Sequence, residues 1–291
     1  MSAAPAYKRG LSVGRIGLYA FLISTVLFFS IPLLIVISTS FKTMDEIRQG
    51  SIFSLPQALN FAPWVKAWAH ACTGLECDGI RGGFLNSVKI LIPSMILSIV
   101  FGAMNGYALA QWKFRGADAL MAAIMIGAFI PFQVILYPLV KILASVGLYG
   151  NLAGIVLVHV VFGLPLMTMI FRNFYASMPQ ELIRAARIDG AGFFRIFFQI
   201  MLPMSINVLI VAVILQFTGI WNDYLLGMIF AGPQNLPMTV QLNNIVGVTK
   251  GTIEYNVNMA ATLLTALPPL LVYLISGRYF VRGVASGAVK G

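Results

Sequence analysis

The stretch ELIRAARIDGAGFFRIFFQIMLP, residues 181–203, places five charged side chains between two long apolar segments. The rest of the chain largely avoids charge, since 59% of its 291 residues are hydrophobic and 10% are charged, with a mean hydropathy of +0.89. Globular proteins carry about 25% charged residues. We therefore expect most of this chain to lie in lipid or inside a bundle of membrane helices.

Local patterns divide the charged stretch into two helices. Ser177 stands three residues before Gln180, which is the spacing of a helix-capping box. Gly190 can adopt the left-handed conformation that ends a helix, and a second helix is expected over about 192–200, ended by Pro203. This helix–glycine–helix unit fits either an amphipathic connector at the lipid surface or a docking surface for another protein.

Six apolar segments surround this unit, each about as long as the 20 residues that cross a bilayer as a helix. They lie at 17–39, 86–110, 119–143, 151–171, 205–230 and 258–277. Prolines within several of them are compatible with spans, because neighbouring helices can satisfy the freed carbonyl groups. The first segment is longer than the core of a signal peptide, so we expect it to be retained. The predicted fold is an all-α membrane protein with six transmembrane helices.

Lysine and arginine are distributed unevenly across this predicted bundle. With the N-terminus inside, the cytoplasmic segments hold 12 of the 19 Lys and Arg residues, which is the bias of cytoplasmic loops. Both termini are therefore predicted to be cytoplasmic. The predicted organisation is a cytoplasmic N-terminus (1–16), a membrane domain (17–281) that includes outer loops 41–84 and 231–257 and the cytoplasmic loop 177–203, and a cytoplasmic tail (282–291).

Several functional classes are disfavoured by the sequence. The net charge of +10 is accounted for by Lys and Arg in the predicted cytoplasmic loops. No basic run alternates with exposed aromatic residues, which would be typical of a nucleic-acid-binding protein. The chain has no GxxxxGK[ST], GxSxG or HExxH motif, so an ATPase and an intramembrane enzyme are disfavoured and the chain is predicted to be non-catalytic. A secondary transporter or channel remains the alternative, although few charges lie within the spans.

Two cysteines lie in the first outer loop. Cys72 and Cys77 flank a glycine in ACTGLEC, and an oxidising compartment outside the membrane would permit a disulfide between them. Two unpaired thiols are the alternative. A zinc site with His70 is disfavoured because the ligand spacing is unusual.

The charged stretch resembles the EAA loop of ATP-binding-cassette (ABC) importer permeases. That pattern is Glu-Ala-Ala, three residues, Gly, nine residues and Ile-x-Leu-Pro. The Ala185-Ala186 pair is followed after three residues by Gly190, and Ile200-Met201-Leu202-Pro203 closes the pattern after nine more. One position departs from the pattern, since Arg184 stands where it has Glu, and Glu181 lies about one turn earlier.

The resemblance covers nearly the whole chain and is to the carbohydrate-uptake subfamily, in particular the smaller six-span permease of maltose-type transporters. FTGIWNDYLLGMIFA, NLPMTVQL and the terminal GAVKG also carry it, while ACTGLEC and YNVNMAATLLTALPPL look like permeases of glucose/mannose-type importers. It implies an ABC type I importer permease fold and ATP-driven sugar import. A glucose- or mannose-type monosaccharide is the expected substrate, and a di- or oligosaccharide or a polyol is the alternative.

The resemblance also implies partners in a bacterial inner membrane. These are a second permease with six or more spans, a dimeric cytoplasmic ATPase, a periplasmic sugar-binding protein and the lipid bilayer. This chain would bind no cofactor, because ATP and Mg belong to the ATPase. Closure of the ATPase dimer would move the EAA loop and switch the spans from inward-facing to outward-facing, as differential contacts in two states require.

Four sets of residues are implied as contacts. The ATPase-coupling set is Glu181, Arg184, Ala185, Ala186, Arg187, Asp189, Gly190 and Ala191. Gly287, Lys290 and Gly291 would reach the ATPase, although composition alone predicts a flexible tail. The amides of Asn235, Gln241, Asn243 and Asn244 would contact the binding protein or its sugar, or else face water.

The fourth set is the predicted outer end of the substrate pathway, formed by Trp221, Asn222 and Asp223. An ionisable residue at membrane depth suggests a functional site, although Asp223 is near enough to the helix end to meet water. A tryptophan beside polar groups suits a sugar, which has apolar faces and polar edges. His159, inside the fourth span, is expected to be a hydrogen-bonded packing residue.

Overall fold

The computed structural model describes residues 13–74, 76–112, 114–247 and 253–288, with side chains up to residue 277. All regular elements within these ranges are helical, which confirms the all-α fold. The α-helices are α1 (Val13–Ser40), α2 (Met44–Gln49), α3 (Ala62–Ala69), α4 (Arg81–Gln111), α5 (Ala117–Phe129), α6 (Phe132–Ser145), α7 (Leu152–Ala176), α8 (Gln180–Ile188), α9 (Phe193–Ile196), α10 (Leu202–Met204), α11 (Ile206–Trp221), α12 (Leu225–Phe230), α13 (Met238–Val246) and α14 (Tyr255–Ala288). A π-helical turn at Phe197–Met201 and a 3₁₀ turn at Pro233–Asn235 complete the set.

Four of the described helices are long and apolar enough to cross a membrane by themselves. They are α1, α4, α7 and the Tyr255–Gly277 part of α14. Two further helix pairs are sharply bent, with 101° between α5 and α6 and 81° between Phe193–Met204 and α11. The fold therefore has four spans, or six if each bent pair is one span.

The segment predicted as a span over 119–143 is bent between α5 and α6 and does not form one straight helix. Ile130 and Pro131 are extended, with ψ angles of 123° and 120°. Proline disfavours a helical conformation in the residue before it and provides no N–H for a helical hydrogen bond. The chain therefore turns at Ile130 and Pro131 instead of continuing as one helix.

Close packing of α4 on α7 forms the centre of the bundle, as the small residues of FGAMNGYALA lead one to expect. A Cβ atom added to Gly102 would overlap Met167 Cβ, and one added to Gly106 would lie 2.6 Å from the backbone nitrogen of Arg172. Beside these glycines, Ala103 and Tyr107 are fully buried. Because Gly102 and Gly106 have no side chain, the backbones of α4 and α7 can approach each other closely.

The first outer loop is held by a network of polar contacts. Helix α3 lies within this loop. At α2, the backbone N–H groups of Thr43 and Gln57 donate to the carboxylate of Glu46 and hold its pKa below the usual value. Asn256 Nδ2 at the start of α14 donates to the carbonyl of Lys42 at 2.9 Å. These bonds attach the outer loop to the ends of two spans.

The C-terminal part differs from the predicted tail. Helix α14 continues to Ala288, so residues 283–288 are helical although their composition predicts a flexible segment. Among the tail residues implied to contact an ATPase, Gly287 lies in this helix, while Lys290 and Gly291 lie outside the described residues. The first 12 residues of the predicted cytoplasmic N-terminus also lie outside them.

Candidate functional site

The charged unit forms the helix–glycine–helix arrangement that its sequence predicts, and α8 ends at a left-handed glycine. Gly190 has φ +77°. The N–H of Ala191 donates to the carbonyl of Ala186 at 2.9 Å, and the N–H of Gly190 donates to that of Arg187 at 3.0 Å. This pair of bonds is a Schellman motif, which satisfies carbonyl groups at a helix end and requires positive φ at one residue.

The start of α8 differs from the prediction. Ser177 does not cap α8, because it ends α7, where its Oγ donates to the carbonyl of Phe174 at 2.8 Å. Pro179 occupies the N-terminal cap position of α8 and makes no side-chain capping bond. Gln180 faces the bundle, and its Nε2 donates to Gln111 Oε1 at 2.8 Å.

The two faces of α8 have different environments. Ile183 and Ala186 are buried in a cluster around the inner halves of α4 and α7, which corrects the prediction that both alanines face a partner. Ala185 is exposed, as are Glu181, Arg184 and Asp189. The side chain of Ile188, at the tip of the unit, is 86% exposed. The outer face therefore combines charge with an uncovered apolar tip.

Gln111, the last residue of α4, connects this unit to two long helices. Its Nε2 donates to the carbonyl of Tyr175 near the end of α7 at 2.6 Å, while its Oε1 accepts from Gln180. Arg187 Nη2 donates to the Gln111 carbonyl at 3.4 Å, and the Arg187 guanidinium lies 5.0 Å from the centre of the Trp112 ring. Arg187 thus makes its contacts within the chain. Gln111 links α4 to α7 and α8, and it was not identified from the sequence.

The second helix of the unit is irregular where one regular helix over 192–200 is predicted. After α9, the π-helical turn includes a bond from the N–H of Leu202 to the carbonyl of Phe197. Pro203 follows within α10 and does not end the helical run, which turns at Ser205. Because Pro203 has no N–H to donate, a wider turn before it is a physically reasonable accommodation.

The fifth apolar segment, predicted as one span over 205–230, is interrupted at Asn222–Tyr224. Helix α11 ends at Trp221, and the carboxylate of Asp223 accepts hydrogen bonds from the N–H groups of Leu226 at 3.2 Å and Gly227 at 2.8 Å. An acidic side chain there matches the partial positive charge of the α12 N-terminus. Asp223 is therefore the residue that begins a new helix within the membrane segment.

The three residues of the predicted substrate pathway separate in the structure. Trp221 is buried, its Nε1 donates to the carbonyl of Thr265 at 3.0 Å, and its ring stacks on Phe217. It belongs to the packing of α11 on α14 and lines neither cavity described below. Asn222 is exposed, whereas Asp223 lines both cavities.

Two adjoining cavities meet at Asp223. The larger, about 820 Å³, lies between α5, α6 and α7. The smaller, about 230 Å³, lies between α7 and α11, and its polar residues are His159, Gln216 and Asp223. Phe162, Leu166 and Leu226 line both. Gln216 was missed by sequence reasoning, although a lone amide in the apolar run VILQFTG is a signal that could have identified it.

All four outer-loop amides make bonds within the chain, and three of them bond its backbone. Asn235 Nδ2 donates to the carbonyl of Ala231 at 3.1 Å, Asn244 Nδ2 donates to that of Thr73 at 2.9 Å, and Gln241 Oε1 accepts from the N–H of Gly83 at 2.7 Å. Asn243 is exposed, and its Nδ2 donates to the Tyr224 hydroxyl at 3.2 Å. The loop is therefore folded against α4, and Asn243 is the amide that presents its side chain outward.

The two cysteines of the first outer loop close a small covalent ring. Cys72 and Cys77 are joined by a disulfide, with His70 at the end of α3 nearby in sequence. The two sulfurs are used by this bond, so they are not available as ligands for a zinc ion.

Comparisons with known proteins agree with this architecture. Residues 98–286 match the family described as "Binding-protein-dependent transport system inner membrane component". The chain is 38% identical over 224 residues to the alpha-glucoside transport system permease protein AglG of Rhizobium meliloti, covering 75% of this chain and 58% of that protein. It is 33% identical over 261 residues to the diacetylchitobiose uptake system permease protein NgcG of Streptomyces coelicolor, covering 89% and 84%.

A solved structure has the same fold. It is a crystal structure of a bacterial ABC transporter involved in the import of the acidic polysaccharide alginate, with a TM-score of 0.79 over 95% of this chain and 100% of that chain. Its sequence identity is 19%, so the likeness concerns the fold. The overall fold is thus that of an ABC importer permease.

Proposed function

Because the chain belongs to the family of binding-protein-dependent transport system inner membrane components, as a membrane-embedded permease subunit of an ABC sugar importer, we propose a substrate class, a set of partners and a coupling surface for it. The protein is a multi-pass transport subunit, and ATP hydrolysis in such importers belongs to a separate subunit. The bacterial inner membrane is the proposed location.

The observation that carries the coupling proposal is the uncovered face of α8. Leu182 and Ile188 are exposed there beside Glu181, Arg184 and Asp189, on a unit fastened to α4 and α7 through Gln111. Exposed apolar side chains ringed by polar ones mark protein interaction sites. A dimeric cytoplasmic ATPase is the proposed partner of this face, and it would bind ATP and Mg while this chain binds no cofactor.

The predicted coupling residues divide into two roles under this proposal. Glu181, Arg184, Ala185 and Asp189 would touch the ATPase, and Gly190 and Ala191 would set the turn that presents them. Ala186 and Arg187 would hold α8 to the bundle, since one is buried and the other contacts Gln111 and Trp112. Gly287, Lys290 and Gly291 remain proposed ATPase contacts.

The other partners lie in and outside the membrane. A second permease of six or more spans would cover apolar surface such as that of α1, whose side chains are largely exposed. A periplasmic sugar-binding protein would meet the outer face, where Asn243 and Asn222 are exposed. Asn235, Gln241 and Asn244 would support this surface indirectly, through bonds to the chain's own backbone.

The proposed substrate is a glycoside or small oligosaccharide. This differs from the glucose- or mannose-type monosaccharide first expected, because the two similar permeases are named for an alpha-glucoside and for diacetylchitobiose. Asp223, at the meeting of the two cavities, is the proposed pathway residue, and the larger cavity of about 820 Å³ has room for more than one sugar unit. A monosaccharide or polyol is the second candidate.

Purification and reconstitution test this proposal. A tagged form of the chain should copurify with a second permease and an ATPase, and the complex should hydrolyse ATP faster when its binding protein is loaded with a transported sugar. A panel of glucose, maltose, trehalose, cellobiose and diacetylchitobiose would identify the substrate. Sugar uptake into liposomes by the isolated chain alone would contradict the proposal and favour a secondary transporter.

A further inference from the structure

The smaller cavity contains a buried amide with no partner. Gln216 of α11 is 6% exposed and lines the cavity of about 230 Å³. Its side chain makes no hydrogen bond to any residue that the structure describes. Buried polar groups are nearly always hydrogen-bonded, and an unpartnered one is destabilising. An amide placed in this way has free hydrogen-bonding capacity directed at the cavity it lines.

The backbone of α7 makes room for this amide. A Cβ atom added to Gly163 would overlap Gln216 Nε2 and would lie 2.9 Å from Ser98 Oγ. Ser98 Oγ is itself buried without a partner among the described residues. The glycine thus allows Gln216 to lie against α7 in a polar region at the centre of the bundle.

Two further polar groups line the same cavity. His159 Nε2 and Asp223 Oδ2 are 3.8 Å apart, which is beyond hydrogen-bond distance, so each retains capacity for another partner. Asp223 already accepts two backbone N–H groups, and among the described residues no second acidic side chain lines the cavity. Cation sites in proteins combine several oxygen ligands. The cavity is therefore better suited to neutral hydroxyl groups than to a metal ion.

Phe162 adds an apolar surface to this polar set. It lines both cavities, and its ring makes an edge contact with Phe132, with 6.2 Å between the ring centres. Ligand sites combine apolar and aromatic walls with a few polar groups that fix orientation. A sugar ring has apolar C–H faces and hydroxyl edges, so a phenylalanine beside an amide, an imidazole and a carboxylate matches both of its surfaces.

We propose that Gln216, His159, Asp223 and Phe162 form a subsite that binds one sugar unit of the transported saccharide as it crosses the membrane. This inference rests on the proposed function and assigns direct substrate contact to this permease subunit. The hydroxyl groups of the sugar would satisfy the free amide of Gln216, and the larger cavity would receive the rest of the saccharide.

Transport of deoxy sugars by the complete complex tests this subsite. The complex is reconstituted in proteoliposomes with its binding protein, and uptake is compared between the best-transported saccharide of the panel and analogues that each lack one hydroxyl. Wild type should take up at least one analogue roughly 5- to 10-fold less efficiently, as loss of one hydrogen bond predicts. In Gln216→Leu the loss for the same analogue should be roughly 5- to 10-fold smaller than in wild type. Selection by the binding protein is the same in both complexes and cancels.

Thr218→Val is the matched control, because Thr218 lies on the same helix, lines neither cavity, and donates its hydroxyl to the carbonyl of Ile214. It should keep the wild-type ratios. If Gln216→Leu fails to assemble, Gln216→Glu keeps the shape but removes the N–H donor, and the same change in ratio is expected. Unchanged ratios, or an equal loss for every sugar, would overturn the subsite. Absence of saccharide uptake by wild type would instead overturn the proposed function.

Discussion

At the scale of single residues, Gly190 determines how the coupling unit is presented. Its φ of +77° closes the Schellman motif at the end of α8, and open space surrounds the position where a Cβ would be. The restriction is therefore in the backbone and not in packing. A left-handed conformation is unfavourable by about 1–2 kcal/mol for a residue with a Cβ, and this cost is greater for β-branched residues.

Gly190→Val should separate ATP hydrolysis from sugar uptake, because the strained turn would reposition Ile188 and Asp189 relative to the ATPase. We expect uptake by the reconstituted complex to fall by about tenfold, in line with a change of 1–2 kcal/mol at this turn, while basal ATPase activity is retained. Gly190→Asn should be nearly normal, since asparagine tolerates this conformation. Gly192, with φ −79° and open space around it, offers a matched control. Equal effects of valine at positions 190 and 192 would argue against a role of the turn.

The positions of individual side chains also show why residue type alone grouped three residues of the predicted substrate pathway that the structure separates. Trp221 and Asp223 are two residues apart, yet one packs between α11 and α14 and the other begins α12 at the cavities. Their separation follows from the break in the helix at Asn222–Tyr224. Of the polar residues in this membrane segment, Gln216 and Asp223 line the smaller cavity.

At the scale of helices, one amide side chain links α8 to both α4 and α7, in addition to the apolar packing of Ile183 and Ala186. Gln111 bonds α7 through the Tyr175 carbonyl and α8 through Gln180. A buried amide with both ends bonded holds its neighbours in one arrangement, and its removal leaves two polar groups unsatisfied. This contact offers a route by which movement of α8 reaches the α4–α7 pair.

Gln111→Leu should weaken the link between α8 and the spans. We expect sugar-stimulated ATP hydrolysis to lose its dependence on sugar, with uptake per ATP reduced roughly 5-fold or more, which is the range of a coupling free energy of about 1–3 kcal/mol. Proteoliposome assays of both activities provide the measurement. Gln199→Leu is the control, because Gln199 is exposed and bonds Arg195 one turn earlier. A complex with Gln111→Leu that keeps full coupling would exclude this route.

The α4–α7 contact itself depends on glycines, which have no side chain to separate the two helices. Gly102→Ala should destabilise the protein by about 1–3 kcal/mol, because the new methyl group would overlap Met167 Cβ in a closely packed interface. The thermal unfolding midpoint in detergent is the measurement. Gly17→Ala on the exposed helix α1 has nothing within 4 Å of the added atom, so its midpoint should be unchanged or higher. Equal midpoints for the two variants would contradict the packing described.

At the scale of the whole molecule, charge sets the orientation and the two ends of the bundle differ. The charged unit α8–α10 packs with the inner halves of α4 and α7, while α2, α3 and α13 cover the opposite end. The excess of Lys and Arg on the first side predicts that it is cytoplasmic. Helix α1 packs against α14 and exposes most of its apolar side chains, which suits lipid or a second permease.

Labelling with a membrane-impermeant maleimide tests this orientation. Ile188→Cys and Leu55→Cys introduce thiols at positions that are 86% and 81% exposed, at opposite ends of the bundle. Cys72 and Cys77 are joined in a disulfide and should not react. We expect labelling of position 55 in intact cells or right-side-out vesicles, and of position 188 only in inside-out vesicles. The reverse pattern would overturn the assigned topology.

Features that depend on local physics can be predicted from the sequence alone. Long apolar runs require helices in lipid, because each backbone polar group must be bonded within its own segment. The glycine in DGAG predicts a left-handed helix end, and the small residues of α4 predict a close helix contact. The fold class, the glycine turn and a close helix contact at α4 follow from such signals, as do the positions of four of the spans.

The hydrogen-bond partners of the polar side chains depend on tertiary contacts. The side chains of Asn235, Gln241 and Asn244 bond the chain's own backbone. Asn243 carries the same kind of amide, but it is exposed and bonds the hydroxyl of Tyr224. The break at Pro131, the irregular turn before Pro203 and the isolation of Gln216 between α7 and α11 likewise depend on neighbouring helices. A hydrogen-bond partner that is distant in sequence leaves no local pattern, so composition and spacing alone do not reveal it.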